Sequence, residues 1–146
     1  MKYETIIEQW QQDSKVNDTE LGQESLNIPY LHGKYLKYYG DERMFLVNLK
    51  SKRKKMTALL REYYNGDLNN TEDLEELGRE PYKKVILKGD IQTYVDADDD
   101  MIKLNMRIGV SEEKINILEH ILKGINSRGF QIKSAIDWHK MTNFGG

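Results

Sequence analysis

The stretch from Arg43 to Tyr64, RMFLVNLKSKRKKMTALLREYY, decides the fold of this chain. It contains neither proline nor glycine, and its apolar residues recur at helical spacing. At about 100° per residue they fall in one sector of a helical wheel. These residues are Phe45, Leu49, Met56, Leu59, Leu60 and Tyr63. The stretch therefore predicts an amphipathic helix with one face for packing.

The same helix carries a basic stripe on nearly the opposite side. Its members, spaced 7, 4 and 7 residues apart, are Arg43, Lys50, Lys54 and Arg61. The stripe is roughly 27 Å long at 1.5 Å per residue. Lys52, Arg53 and Lys55 flank it, and few acidic residues lie nearby. In a chain of net charge −2, this indicates either a solvated helix face or a site for an anionic partner.

Length and composition limit the class of protein. A chain of 146 residues forms one domain, or one domain with an attached arm. Only 38% of the residues are hydrophobic and 32% are charged, so the core is lean and other subunits are expected to supply part of the apolar burial. The absence of cysteine excludes disulfides and thiolate metal sites and fits a reducing cytoplasm.

No targeting or membrane segment is expected. Polar residues interrupt the apolar periodicity of the N-terminal MKYETIIEQWQQD, which is unlike a signal peptide. The longest apolar run, Met44 to Val47, is far too short to cross a bilayer.

The N-terminal region is predicted to be helical. A short helix is predicted over residues 2–12, and the oxygen-bearing side chains of Asp18-Thr19-Glu20-Leu21 are typical of a second helix start. From Ile28 an apolar seam with alternating spacings of 3 and 4 runs to Tyr63. Gly40 and the charged seam positions Glu42 and Lys52 leave two alternatives, an interrupted helical hairpin or a kinked long helix.

The middle of the chain begins at Asn65-Gly66, which predicts a left-handed helix cap. Residues 67–80 carry six acidic residues and one arginine, so they form either a mobile acidic loop or one short helix at 71–77. KVIL (84–87) and IQTYV (91–95) flank Lys88-Gly89-Asp90 and predict a small β-hairpin at best.

The C-terminal region predicts an oligomer interface. Four aspartates at 96–100 do not fit an EF-hand loop, and they instead supply negative charge to the first turn of a helix over 99–126. That helix carries two adjacent apolar strips, more than a monomer of this size usually buries against itself. The predicted interface residues are Leu104, Ile108, Ile115, Ile117, Leu118, Ile121, Leu122 and Ile125. Gly129 then predicts a break before a last helix over 130–144.

The sequence lacks the patterns of an enzyme. Gly33-Lys34 does not fit a phosphate-binding loop, and no serine lies in a nucleophile-elbow context. The three histidines lack paired metal-ligand spacing. We therefore expect no catalytic residue, metal or cofactor.

Three segments together resemble the UvsY recombination mediator family of T-even-type phages. They are DTEL (18–21) with SLN (25–27) and YLHGKYL (30–36), then LREYYNG (60–66), then SRGFQIK (127–133), which is the most specific. The family places basic residues just before its tyrosine pair. Here those positions read Ala58, Leu59, Leu60 and Arg61, and the charge lies a turn or two earlier, at Lys50 to Lys55.

The resemblance implies a mostly helical, ring-forming protein that binds single-stranded DNA. It also implies that the protein helps a RecA-like recombinase displace a single-strand-binding protein and assemble its filament in the cytoplasm of the phage's host. The residues support DNA binding independently, since a cationic stripe releases phosphate counterions and an exposed tyrosine can stack on a base. We predict contacts from Arg43, Lys50, Lys52, Arg53, Lys54, Lys55, Arg61 and Tyr64.

Together these patterns predict a mainly α fold of long amphipathic helices, with at most one β-hairpin, assembling into a ring-like homo-oligomer. Three regions are expected: a helical region with the basic helix (1–66), an acidic loop with the hairpin (67–97) and a helical oligomerisation region (98–146). Two rival classes remain open. One is a structural oligomer whose basic stripe pairs with the acidic segment of a neighbour, and the other is a protein-binding adaptor without DNA affinity.

Overall fold

A computed structural model describes residues 1–144, with the side chains of residues 1–143. The helices are α1 (Tyr3–Asp13), α2 (Leu21–Leu26), α3 (Ile28–Tyr64), α4 (Thr71–Leu77), α5 (Ile91–Asp96) and α6 (Asp99–Phe144), and a single 3-10 turn (Lys88–Asp90) precedes α5. No strand occurs in this part of the chain. The mainly α fold class is therefore confirmed. Residues 145 and 146 of the predicted third region lie outside the described part.

The chain forms two compact units that divide it differently from the three predicted regions. The first contains residues 1–44 and the part of α6 from residue 110, and the second contains residues 45–109. Both long helices contribute to both units, because each continues through the boundary without a break. The first unit therefore combines two segments that are distant in the sequence, which a division of the chain into consecutive regions cannot describe.

Of the two alternatives for this stretch, the long helix is formed: α3 is one uninterrupted helix of 37 residues, and no interrupted hairpin occurs within it. Gly40 lies inside it and costs only about 1 kcal/mol of helix propensity relative to alanine. Helix α3 ends as predicted at Asn65-Gly66. Gly66 has φ of 81°, and the Asp67 amide donates to the Glu62 carbonyl at 3.0 Å.

The first unit packs α1 against the antiparallel pair formed by α3 and α6. Its buried core consists of Ile6, Leu31, Tyr35, Leu118, Ile121 and Ile125. Arg128 of α6 is 4% exposed and donates to the carbonyls of Ser14 and Lys15 at 3.2 and 3.0 Å. These carbonyls follow α1, so the guanidinium fixes the end of that helix to α6.

Polar side chains also lie inside this helix pair. Glu42 of α3 is 9% exposed and accepts a hydrogen bond from the Ser111 hydroxyl at 2.7 Å. Lys114 approaches the same carboxylate at 3.7 Å. The charged seam position Glu42 is thus satisfied across the helix pair, which removes most of the cost of burying it.

Helix α6 continues through Gly129, which corrects the predicted break. Ile125, Arg128 and Ile132 are all buried at spacings of 3 and 4, so one face of α6 stays packed through this region. This packing outweighs the lower helix propensity of one glycine.

The second unit surrounds the C-terminal half of α3 with α4, α5 and the start of α6. Leu49 packs with Leu104 and Ile108, while Leu60 packs with Ile91 and Val95. Of the two alternatives for the acidic segment, the short helix is formed. The side chain of Asn70 caps it by accepting from the Glu72 amide at 3.0 Å.

The predicted β-hairpin is wrong. Residues 83–87 are irregular, and IQTYV forms helix α5. Ile91 and Val95 are four residues apart and both are buried against Leu60, which is the geometry of a helix face. With no partner strand beside it, this β-prone sequence gains more from packing as a helix.

Candidate nucleic-acid interface

A cluster of cations lies on α3 within the second unit. Lys50, Lys52, Lys54 and Lys55 are all exposed. Arg53 is half-buried, and its Nη1 donates to Oδ1 of Asn105 on α6 at 3.4 Å. The helix therefore holds five of the eight predicted DNA-binding residues within about one and a half turns.

These residues do not face one way. Helical geometry places Lys50 and Lys54, four residues apart, on one flank of α3, and Lys52 and Lys55, three residues apart, on the other. Arg61 shares the flank of Lys50 and Lys54 and donates to Gln92 of α5. The basic residues of α3 therefore lie on two flanks of the helix, and the predicted stripe accounts for only one of them.

Arg43 belongs to the first unit. Its guanidinium lies over the ring of Tyr39, 5.5 Å from the ring centroid. A cation over an aromatic face gains about 0.5–1 kcal/mol at an exposed site, so Arg43 has a structural contact besides any DNA contact.

Tyr64 is half-buried and is not the exposed tyrosine that the sequence predicted, so its ring is not a free stacking platform. Its hydroxyl donates to Oδ2 of Asp98 at 2.6 Å. Its ring packs between those of Tyr63, Tyr82 and Tyr94, with centroids 5.1, 5.0 and 5.8 Å away. Burial, together with the hydrogen bond to Asp98, raises the pKa of Tyr64 to about 12. Tyr64 therefore holds α3 to the start of α6.

Asp98 is the centre of this contact. Its side chain is 2% exposed, and Arg79 donates to both carboxylate oxygens, at 2.6 and 2.9 Å. Burial opposes ionisation, but the hydrogen bonds from Arg79 and Tyr64 outweigh it and lower the pKa of Asp98 to about 2. Asp98 also accepts from the backbone amide of Asp100 at 2.9 Å and so caps α6.

A groove opens on the flank that carries Lys52 and Lys55. Two cations of α6, Lys103 and Arg107, line the same groove, whose volume is about 730 Å³. Sequence reasoning missed these two residues. Their spacing of four places both on one side of α6, but only the packing of α6 on α3 shows which side of α3 they meet.

Arg128, in the segment SRGFQIK, is not available to bind DNA. Arg128 is buried and also pairs with Glu24 at 3.3 Å, while Lys133 is exposed. The segment SRGFQIK therefore contains a structural arginine.

The predicted subunit interface is largely the core of this chain. Five of its eight residues are buried here and unavailable to a neighbouring subunit: Leu104, Ile108, Leu118, Ile121 and Ile125. Ile115, Ile117 and Leu122 are half-buried. The physical reason is that α1 and α3 cover Leu118, Ile121 and Ile125 in the first unit, and α3 covers Leu104 and Ile108 in the second. Among residues 99–143 of α6, the exposed large apolar side chains are instead Ile102, Met106, Val110, Phe130, Trp138 and Met141.

The described residues place two limits on function. Over residues 1–144, no helix has both the length and the apolarity needed to cross a membrane. Across the same range, no histidines and carboxylates converge in an arrangement suited to a metal ion.

Fold and site together define a mainly helical protein that displays a basic helix segment. Residues 9–145 match the sequence model of the family described as recombination, repair and ssDNA binding protein UvsY. This chain belongs to the UvsY family. A relative, recombination protein uvsY of Enterobacteria phage T4, is 24% identical over 137 residues, covering 94% of both chains.

Solved structures agree on the fold. A crystal structure of the bacteriophage T4 recombination mediator protein UvsY, in lattice type IV, has a TM-score of 0.82 at 22% identity. It covers 94% of this chain and 97% of the other. A second, in lattice type II, has a TM-score of 0.81 at 23% identity and covers 98% of both chains.

Proposed function

We propose that this protein is a non-catalytic recombination mediator that binds single-stranded DNA without sequence preference through the exposed lysines of α3. The observation that carries the proposal is the cluster Lys50, Lys52, Lys54 and Lys55, all exposed on one helix of a UvsY-family protein. When such a cluster binds DNA, counterions are released from the phosphates, which favours binding whatever the DNA sequence.

Membership of the UvsY family supports the mediator role. The protein would help a RecA-like recombinase displace a single-strand-binding protein and assemble on the strand, in the cytoplasm of the phage's host. A homo-oligomeric ring would add avidity, because one weak cationic patch per subunit becomes strong when several engage one strand. The exposed side chains of Phe130, Trp138 and Met141 on α6 offer apolar surface for such contacts.

Fluorescence anisotropy with a labelled single-stranded oligonucleotide tests DNA binding. The logarithm of the affinity should fall linearly with the logarithm of salt concentration, by about 0.7 for each neutralised phosphate. Lys50→Ala with Lys54→Ala should lower that slope by about 1.4. The matched control is Lys83→Ala with Lys84→Ala, which removes two exposed charges from the loop before α5. Equal affinity for single and double strands would contradict the proposal.

The mediator step needs its own assay. A RecA-like recombinase hydrolyses ATP on single-stranded DNA only after a lag when the strand is coated with single-strand-binding protein. Adding this protein should shorten the lag, and the Lys50 and Lys54 double variant should not. An unchanged lag with the wild-type protein would leave DNA binding without a mediator function and would favour a structural role.

A further inference from the structure

The groove of the second unit combines two kinds of surface. Its basic lining, here called the walls, consists of Lys52 and Lys55 of α3 and Lys103 and Arg107 of α6. Its aliphatic lining, here called the floor, consists of the half-buried Met56, Leu59 and Leu77 and the buried Leu104. A volume of about 730 Å³ lies within the range of pockets that hold small organic ligands. Such a groove is complementary to a ligand that is anionic at its edges and apolar in between.

The charge balance of the groove is positive. Four cations line it against two carboxylates, Glu76 and Asp100. Asp100 accepts from Nη2 of Arg79 at 2.8 Å, so part of its charge is already offset. Cations from two helices that face one groove raise the local potential more than the same charges spread over one helix.

We propose that this groove holds one unstacked base of single-stranded DNA over the aliphatic floor, with the adjoining phosphates bound by Lys52, Lys55, Lys103 and Arg107. The inference rests on the proposed function and adds a site that includes α6. It also gives a physical basis for strand selection. A duplex stacks its bases inside the helix, and unstacking one costs a few kcal/mol, whereas a single strand presents its bases freely.

Two charge changes test the walls of the groove in opposite directions. Lys103→Ala with Arg107→Ala should lower the salt slope of single-strand binding by about 1.4. The control is again Lys83→Ala with Lys84→Ala. Glu76→Gln should strengthen binding roughly twofold to fivefold, because it removes a negative charge beside the phosphates. Glu75→Gln, at the adjacent exposed position outside the groove, should change binding much less.

An oligonucleotide with an abasic site tests the floor. It keeps every phosphate and lacks one base, so it should bind roughly three- to tenfold more weakly than the intact strand, somewhat less than the loss of a base stacked on an aromatic ring. Far-UV circular dichroism and thermal melting of each variant confirm the fold. Glu76→Gln is a surface change, so the test stands even if the double variant is unstable.

The outcomes separate this inference from the proposed function. Failure of the wild-type protein to bind single-stranded DNA would contradict both the proposed function and the groove proposal. If the wild-type protein binds DNA and the groove and control variants bind it equally well, the groove proposal is contradicted and the proposed function stands. Full binding of the abasic strand would overturn the role of the floor. A groove variant that keeps DNA binding but no longer binds a synthetic peptide of alternating glutamate and leucine would assign the groove to an acidic protein segment instead.

Discussion

Replacement of Asp98 by asparagine tests how the second unit is held together. The carboxylate is 2% exposed, pairs with Arg79 through both oxygens and accepts the Tyr64 hydroxyl. Asparagine has nearly the same shape and can still cap α6, so the change removes the charge and little else. Arg79 retains Asp100 at 2.8 Å, which keeps the guanidinium from being left unpaired.

The magnitude follows from the pKa of Asp98, which falls from 3.8 to about 2. One pKa unit corresponds to about 1.4 kcal/mol, so the charged group contributes about 2 kcal/mol to the free energy of unfolding. Because the pKa is lowered in the folded state, this contribution is complete above pH 4 and is lost as the pH falls towards 2. The variant should therefore be about 2 kcal/mol less stable at pH 7, and the difference should shrink to about half of that at pH 3.

Urea unfolding followed by far-UV circular dichroism at pH 7, 4 and 3 measures the difference. Asp99→Asn is the control, since this neighbouring acid is exposed and should cost at most about 1 kcal/mol through the helix dipole. A variant as stable as the wild type at pH 7 would refute the reasoning. So would a loss of stability that is the same at pH 3 as at pH 7, because the ionised carboxylate would then not be its source.

The remaining predictions concern the long helices and their caps. Gly129→Ala should raise stability by about 0.5–1 kcal/mol in thermal melts, since α6 is continuous there and nothing lies within 4 Å of the added carbon. Gly78→Ala should lower it by about 1 kcal/mol, because Gly78 has φ of 67° at the end of α4. Arg128→Met should cost about 3–5 kcal/mol by leaving Glu24 and the carbonyls after α1 without their partner, and Ile121→Asp should destabilise the first unit by several kcal/mol. Tryptophan fluorescence during urea unfolding measures both changes, because Trp10 packs against this core. An Ile121 variant that keeps wild-type stability but fails to oligomerise would instead support a subunit-interface role for Ile121.

The sequence by itself determined the mainly helical class, the end of α3 and the family resemblance. Apolar spacing of 3 and 4 marks a helix face wherever the chain packs, and Asn65-Gly66 terminates α3 through local backbone geometry. The segments LREYYNG and SRGFQIK carried the family resemblance, which the family match confirms. These properties depend on residues close together in the chain.

The tertiary structure decided what each face contacts. Periodicity shows that Ile121 and Ile125 need a covering surface, but only packing shows that α1 and α3 of the same chain provide it. Tyr64 looked exposed because its partner Asp98 lies 34 residues away. The groove that Lys103 and Arg107 share with Lys52 could not be predicted for the same reason. A groove between two helices depends on how side chains distant in the chain are brought together. Non-local contacts of this kind leave no periodic signal in a single sequence.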